Sequence, residues 1–261
     1  MWIHNLNPTL LNLGPVEIRW YGLVYLLGFA LVIWWLKRAQ KQEIIHLSTD
    51  DLWDLALYLL IGVLVGSRIF ELFWEPEYYL SNPLNILKIW QGGMSFHGGF
   101  VGIIIACWWY CRKKKLHFGT IADVLAAPLM FALALGRLAN FVNGELVGRV
   151  WNNGQWCVVF PQYGPECRHP NMIYSFFQRM AVFGWLYWLS VQRKFKPGFV
   201  FWNFVFWEGI GRFFMDFYRE DILYAGLSLG QWFSIPMVIV GLYMFNKFYK
   251  EDWRDIFSKR S

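Results

Sequence analysis

Residues 120–145, TIADVLAAPLMFALALGRLANFVNGE, join a long apolar run to a polar end. A helix needs about 20 mostly apolar residues to cross about 30 Å of hydrocarbon, and this run supplies them. Its end then places Arg137, Asn140, Asn143 and Glu145 within ten positions. Polar and ionisable groups are costly near lipid and by default mark a functional site. The stretch therefore predicts a membrane helix with a candidate site at one end.

The whole chain has the composition of a membrane protein. It is 57% hydrophobic and 16% charged, whereas a soluble domain carries about 25% charged residues. Only helices or closed barrels satisfy the backbone in lipid, and these runs are too long for barrel strands of about ten residues. The sequence thus predicts an all-α integral membrane protein, a single domain of seven transmembrane helices at 20–36, 52–74, 95–111, 120–142, 172–191, 199–217 and 231–248.

Basic residues are concentrated on one side of the predicted membrane. They fill the connections after the first, third and fifth spans and the C-terminal tail, for example Arg112–Lys115. By the positive-inside rule the N-terminus is outside and the C-terminus is cytoplasmic. The net charge of +6 is thus explained by topology, and no nucleic-acid partner is expected.

Two outer connections are long enough to form structure of their own. Residues 75–94 mix aromatic residues with prolines, which favours an arm lying along the membrane interface. Residues 143–170 are rich in Asn, Gly and Pro and predict a small periplasmic cap. Whether either contacts a substrate or is only a solvated connection stays open.

The four cysteines do not indicate a metal site. Cys107 and Cys111 lie one turn apart in the third span, where packing is the default interpretation. Cys157 and Cys167 lie in the cap, in a compartment that permits disulfides, but sequence gives no distance between them. No Cys and His grouping has zinc-ligand spacing, so no metal is expected.

The predicted topology brings the intramembrane polar residues to one depth, near the outer headgroups. Because each span has a known direction, its polar residues can be assigned to its inner or outer half. The outer set comprises Tyr21, Arg68, His97, Arg137, Asn140, Glu145, His169, Arg212, Asp216 and Arg219. Asp54 and Asp123 lie at inner ends, where they are expected to cap or anchor helices.

Helical spacing sharpens this prediction. Glu208, Arg212, Asp216 and Arg219 fall at i, i+4, i+8 and i+11, which predicts one stripe of pairable charges. Such a stripe could equally be an ion-pair network that holds helices together. Arginine suits phosphate because its planar fork binds two oxygens, and at headgroup depth the available phosphate belongs to a phospholipid.

His97 is the candidate general base. It begins a span within the Gly-rich stretch SFHGG, and an imidazole with an ordinary pKa near 6.5 suits deprotonation of a thiol. A lone histidine is more often structural, so the neighbouring arginines carry this assignment. The pattern G-x-S-x-G at 226–230 is set aside, because it lies in an outer turn and not at the elbow of an α/β sheet.

Six motifs resemble those of the bacterial prolipoprotein diacylglyceryl transferases, in order and spacing, over essentially the whole chain. They are IRWYGLVYLLGF (18–29), GGMSFHGG (92–99), GRLANFVNGELVG (136–148), RHPNMIY (168–174), GRFFMDFYR (211–219) and LSLGQWFSIPM (227–237). Two positions depart from the family pattern as we read it: Asp216 stands in place of Glu, and Glu208 in place of Tyr.

The resemblance implies an enzyme of the bacterial cytoplasmic membrane with its active site toward the outer leaflet. Such an enzyme transfers the diacylglyceryl group of phosphatidylglycerol to the lipobox cysteine of a prolipoprotein, and releases glycerol 1-phosphate. No cofactor is implied. The implied catalytic residues are His97, Arg137 and Arg212. The resemblance also implies Tyr21, Asn140, Glu145 and Gly148 as substrate-binding positions. From their place in the outer half of the membrane, or on the same stripe of charges, we further expect substrate binding by Arg68, Glu208, Asp216 and Arg219.

Two other classes of function stay open from the residues alone. A transporter or flippase would spread ionisable residues through the membrane, whereas here they are predicted at one level. A structural assembly protein would turn over no lipid.

Overall fold

The computed structural model describes residues 2–13, 16–88, 95–151, 155–192 and 194–256. It is mostly helical, which confirms a helical protein. Four helices in the described ranges are long and apolar enough to cross a membrane: Trp20–Lys41, Thr49–Leu72, Phe118–Asn143 and Leu229–Lys247. Seven spans and the orientation of the termini stay predictions.

The long helices follow the apolar runs of the sequence. In chain order the helices are α1 Trp20–Lys41, α2 Thr49–Trp74, α3 Pro76–Ser81, α4 Phe96–Lys114, α5 Phe118–Asn143, α6 Asn171–Gln192, α7 Phe199–Met215, α8 Leu229–Lys247 and α9 Lys250–Arg254. Short 3₁₀ turns lie at Pro83–Leu87, Pro161–Tyr163 and Asp216–Tyr218.

Short strands join the loops between the helices. They are β1 Trp2–Ile3, β2 Thr9–Leu13, β3 Val16–Arg19, β4 Val158–Val159, β5 Cys167–Arg168, β6 Leu223–Tyr224 and β7 Leu227–Ser228. β1 pairs parallel to β4, and β4 pairs antiparallel to β5. β2 with β3 and β6 with β7 form antiparallel hairpins.

The chain divides into two compact units. The smaller unit comprises residues 33–122 and is built around the packing of α2 against α4. Glycines let these two backbones approach closely, as small residues do in membrane helix pairs. A Cβ at Gly62 would lie 2.6 Å from the Gly102 carbonyl oxygen, and one at Gly66 would lie 2.8 Å from the Gly102 Cα.

The larger unit comprises residues 1–32 and 123–261, with α7 packed between α6 and α8. Side chains fix its helix starts. The Asp123 carboxylate accepts hydrogen bonds from the Gly198 and Phe201 amides, each at 2.7 Å, and so caps α7. The expected capping role of Asp123 is therefore confirmed. Ser228 and Gln231 form a reciprocal capping box at the start of α8.

We keep the name cap for the described part of the segment 143–170, residues 143–151 and 155–170, which belongs to the larger unit. Its strands β4 and β5 are joined by a disulfide between Cys157 and Cys167. Beneath them lies a compact apolar cluster that includes Phe160 and Met172, both fully buried. The cap therefore packs against the long helices, since Met172 belongs to α6 and Phe141, which packs against the same cluster, belongs to α5.

Candidate active site

Four arginines lie together in the larger unit. Arg137 on α5 interacts electrostatically with Arg179 on α6, Arg212 on α7 and Arg219 just beyond α7. Like charges repel, so such a group needs counter-charges. Three carboxylates supply them: Glu208, Asp216 and Asp221. We call these seven residues the arginine cluster. Among the residues that the structure describes, its four guanidinium groups and three carboxylates leave the cluster one positive charge in excess.

Arg179 and Glu208 form a fully buried ion pair between α6 and α7. Both side chains are 2% exposed, and Arg179 Nη2 donates to Glu208 Oε1. Sequence reasoning missed Arg179, although an arginine in the middle of an apolar run is the signal that identified the other site residues. Glu208, expected to bind substrate, has one carboxylate oxygen engaged with Arg179.

Arg212 and Asp216 pack against the start of α8. Ser228 Oγ donates a hydrogen bond to Asp216 Oδ2 at 2.9 Å. A Cβ at Gly230 would lie 3.0 Å from Arg212 Nε and would also collide with Asp216. Glycine at this position therefore lets the helix start close over both charged side chains. Sequence reasoning missed the roles of Ser228 and Gly230, because they depend on the packing of α7 against α8.

The predicted stripe of charges along one helix is wrong at Arg219. Glu208, Arg212 and Asp216 share a buried face, but α7 ends at Met215 and a 3₁₀ turn follows. Arg219 consequently has extended backbone, and its Nε lies 3.1 Å from Asp221 Oδ2. Burial raises the pKa of the Asp221 carboxyl, while the positive charge of Arg219 opposes that rise. Arg219 joins the arginine cluster from a loop.

The polar end of α5 is organised around Glu145. Asn140 Nδ2 donates to Glu145 Oε1 at 2.6 Å, and Asn143 Nδ2 lies 3.5 Å from the same oxygen. Gly144 makes the necessary turn with a φ of 65°, and the Glu145 amide donates to the Asn140 carbonyl oxygen at 3.0 Å. The polar end of α5 therefore folds back on itself, with Arg137 one turn before Asn140.

Tyr21 reaches this region through its neighbour on α1. The Tyr25 hydroxyl donates to the Tyr21 hydroxyl at 3.4 Å, and the two rings meet edge to face. Tyr25 also interacts electrostatically with Glu145. The structure thus links Tyr21 to Glu145 through Tyr25, a residue that the sequence did not single out.

Gly148 occupies a position with no room for a side chain. Its amide donates to the His169 carbonyl oxygen at 3.1 Å, and it forms a β-bridge with Arg219. A Cβ would lie 2.7 Å from both His169 Cβ and the Tyr218 carbonyl oxygen. Gly148 therefore fastens the cap between the start of α6 and the end of α7, beside Arg219.

His169 lies in an aromatic pocket of the cap. Its ring centroid is 4.6 Å from that of Trp151 and 5.3 Å from that of Tyr218, and its Nδ1 is 3.2 Å from the Tyr174 hydroxyl. Burial lowers the pKa of His169 below its ordinary value. The ring is therefore neutral at neutral pH.

Arg68 belongs to the smaller unit, and its guanidinium contacts residues between 79 and 88, the described part of the segment that we expected to form an arm. Nε donates to the Ile86 carbonyl oxygen at 2.9 Å, Nη1 to the Tyr79 hydroxyl at 2.8 Å and Nη2 to the Lys88 carbonyl oxygen at 2.6 Å. These bonds hold this segment against α2. We propose that Arg68 serves the polypeptide in this way, in place of the substrate contact expected from its position in the sequence.

His97 also belongs to the smaller unit and lies in the first turn of α4. Ser95 caps this helix, its Oγ accepting from the Gly98 amide. The side chain of His97, like the whole of Gly92 and Gly93, lies outside the described part of the structure. Its role as a base stays a prediction.

The arginine cluster can bind an anion of one negative charge. Its excess positive charge favours such a group, and guanidinium forks match phosphate or carboxylate oxygens in pairs. Arg137 is partly exposed, and within the described residues its guanidinium donates no hydrogen bond. The described residues contain no group of three or more His, Cys, Asp or Glu side chains that could hold a metal ion.

Comparison with known proteins gives a consistent result. A family model described as prolipoprotein diacylglyceryl transferase matches residues 8–247. Proteins named phosphatidylglycerol–prolipoprotein diacylglyceryl transferase are 43% identical in Bordetella parapertussis, 41% in Geobacter sulfurreducens and 38% in Aeromonas salmonicida. These matches cover 92%, 94% and 95% of this chain and 95%, 96% and 93% of the relatives. The chain belongs to the prolipoprotein diacylglyceryl transferase family.

Proposed function

We propose that this protein catalyses the reaction named by its relatives, with phosphatidylglycerol as donor and a prolipoprotein as acceptor. The acceptor group is the thiol of the lipobox cysteine, and the products are a thioether-linked prolipoprotein and glycerol 1-phosphate. This reaction is the first step of lipoprotein maturation.

The observation that carries the proposal is the arginine cluster with its one excess positive charge. A phosphodiester carries one negative charge, so a phosphatidylglycerol headgroup would neutralise the cluster. Arg137 and Arg212 come from different helices, and Arg137 retains donors for a ligand. Two guanidinium groups aimed at one phosphate stabilise the charge that grows on it as it leaves, an effect strengthened by a low dielectric.

The proposed chemistry is a displacement at the glyceryl carbon. The substrate sulfur forms a C–S bond while the C–O bond to the phosphate breaks, and the electron pair of that bond leaves with glycerol 1-phosphate. The thiol proton is accepted by a base, for which His97 is our candidate. The nucleophile belongs to the substrate, so no cysteine of this chain takes part.

The other predicted residues organise the region around the headgroup. Asn140 and Glu145 hydrogen-bond to each other next to Arg137, and Tyr25 links Tyr21 to Glu145. We assign these groups to the polar part of phosphatidylglycerol. Gly148 fastens the cap beside Arg219, and we assign to the cap the task of covering the reacting groups.

We place the enzyme in the bacterial inner membrane, with seven spans and its active site toward the outer leaflet. The basic connections support a cytoplasmic C-terminus. The Cys157–Cys167 disulfide supports an outer location of the cap, because disulfides persist in oxidising compartments. A reporter that fluoresces only in the cytoplasm should be active when fused to the C-terminus. Fluorescence from a fusion within the cap would contradict this topology.

The function is tested by incubating purified protein with phosphatidylglycerol labelled in its acyl chains and a peptide that contains a lipobox cysteine. We expect label on the cysteine and one glycerol 1-phosphate released per peptide modified. A peptide with serine in place of that cysteine is the matched control and should stay unlabelled. Lipid that crosses the bilayer without being consumed would favour a flippase and contradict the proposal.

A further inference from the structure

The buried pair of Arg179 and Glu208 is an expensive way to join two helices. Each side chain is 2% exposed, and each lies in the interior of its helix. A well-packed apolar pair of similar volume often holds such an interface as well or better, because charges lose their hydration on burial. Helix packing alone therefore gives little reason for these two residues.

The pair does not use all of its own polar atoms. Arg179 Nε and Glu208 Oε2 are buried and have no hydrogen-bond partner within the described residues. Glu208 has one oxygen on Arg179, and its negative charge also acts on Arg137 and Arg212. Glu208 and Arg212 lie one helical turn apart on the buried face of α7. The negative charge of Glu208 therefore acts on three arginines, Arg179, Arg137 and Arg212.

We propose that Arg179 and Glu208 are positioning residues for the phosphate-binding arginines. The Glu208 carboxylate holds the Arg137 and Arg212 guanidinium groups near each other against their mutual repulsion. Arg179 holds the Glu208 carboxylate in one direction through the hydrogen bond from its Nη2. The pair acts through Arg137 and Arg212 and does not itself touch the lipid. This inference rests on the proposed function and refines the expected role of Glu208 from binding to positioning.

A positioning role has a kinetic signature that a merely structural role lacks. Glu208→Gln removes a negative charge, so the cluster should still attract phosphatidylglycerol and its KM should change less than about threefold. The two guanidinium groups should lose their alignment, and misplacement of about 1 Å can lower rates about a hundredfold. We expect kcat to fall at least about tenfold while the melting temperature in detergent stays near that of the wild type.

The decisive variant exchanges the two charges. Arg179→Glu/Glu208→Arg keeps a buried ion pair but moves the carboxylate from α7 to α6. If the pair only holds helices together, the exchanged protein should keep wild-type kcat. If the pair positions the arginines, kcat of the exchanged protein should be at least about tenfold below that of the wild type, because misplaced groups lower the rate. Glu208→Asp keeps the charge on α7, and it should recover part of the activity lost in Glu208→Gln.

The control removes a different ion pair. Lys196 and Glu251 lie 3.2 Å apart and are exposed. Lys196→Met/Glu251→Leu should leave both kcat and KM unchanged. Wild-type kcat in folded Glu208→Gln or in the exchanged variant overturns the positioning role. Absence of transfer in the wild type and in this control would instead refute the proposed function.

Discussion

Arg68 and Arg137 are both arginines in apolar helices, yet their surroundings differ in kind. Arg68 is 6% exposed, and its donors go to two backbone carbonyl oxygens and a tyrosine hydroxyl between residues 79 and 88. Arg137 is surrounded by three other arginines and the Glu208 carboxylate, with no hydrogen bond from its guanidinium to a described residue. One arginine holds the polypeptide, and the other is available to a ligand.

The difference teaches that a charge in a membrane helix does not by itself identify a binding residue. The groups that accept hydrogen bonds from the arginine, or balance its charge, decide whether it can bind a ligand. The guanidinium of Arg68 donates to neutral carbonyl and hydroxyl oxygens, and one carboxylate, that of Glu71, lies close enough to act on its charge. The arginine cluster has too few carboxylates for its cations, which favours an additional anion.

The largest effect is expected for Arg137→Lys. Lysine keeps the charge but loses the planar fork, so transfer should fall about 100- to 1,000-fold, as when one transition-state donor is removed. Initial rates with labelled phosphatidylglycerol measure this loss. Activity close to that of the wild type in folded Arg137→Lys would remove the distinction between the two arginines.

Arg68→Lys should show the opposite balance. It loses at least two hydrogen bonds to the segment 79–88, and bonds from a charged donor contribute about 1.5–3 kcal/mol each, so the free energy of unfolding should fall by about 3–6 kcal/mol. Transfer at a temperature where the variant is folded should stay within about tenfold of the wild type, well short of the loss of a transition-state donor. A loss as large as that of Arg137→Lys, without lower stability, would show that Arg68 also serves the substrate.

Gly148→Ala tests the cap beside the arginine cluster. The added methyl group meets His169 and the Tyr218 carbonyl oxygen, and such overpacking costs about 1–3 kcal/mol. Gly184→Ala is the matched control, because nothing lies within 4 Å of the Cβ that it adds on α6. Thermal unfolding in detergent compares the two. Equal stability of both variants would contradict the close fit of the cap.

The smallest effect is expected from the titration of His169. Because burial lowers its pKa below the ordinary value of about 6.5, the folded protein binds fewer protons than the unfolded chain at mildly acidic pH. Its contribution to stability is complete above that value and is lost as pH falls through the lowered pKa. We expect this loss to be the smallest of the effects, because it comes from one partly buried histidine.

Melting temperatures between about pH 7.5 and pH 5, across the ordinary histidine value, measure this term. His169→Asn should flatten this dependence, because it removes the buried titrating ring. An unchanged dependence in His169→Asn would show that the aromatic pocket does not exclude the charged ring.

The helices could be predicted from sequence because each apolar run is a local signal. The run predicted at 231–248 corresponds to α8 at Leu229–Lys247, and the run at 172–191 to α6 at Asn171–Gln192. The prediction of where α7 ends was less accurate. Charges at helical spacing suggested that it continues to Arg219, whereas the chain turns after Met215 to pair with the cap.

The sequence predicted which residues belong to the site better than it predicted which residues they contact. Arg137, Asn140 and Glu145 stand out in sequence because polar residues follow an apolar run. Arg179, the partner of Glu208, could not be recognised as its partner from the sequence, because it lies 29 residues away on another helix. The acceptors of Arg68 are backbone carbonyl groups, which every residue carries and no pattern reveals.

Binding of phosphatidylglycerol tests the central claim most directly. The lipid phosphorus signal can be titrated by ³¹P NMR with wild-type protein, with Arg137→Lys/Arg212→Lys and with Arg68→Lys. We predict that the double variant binds at least about tenfold more weakly, as the loss of charge-assisted hydrogen bonds of about 1.5–3 kcal/mol requires, and that Arg68→Lys binds like the wild type. Undiminished binding by the folded double variant, or weakened binding by Arg68→Lys alone, would contradict the account.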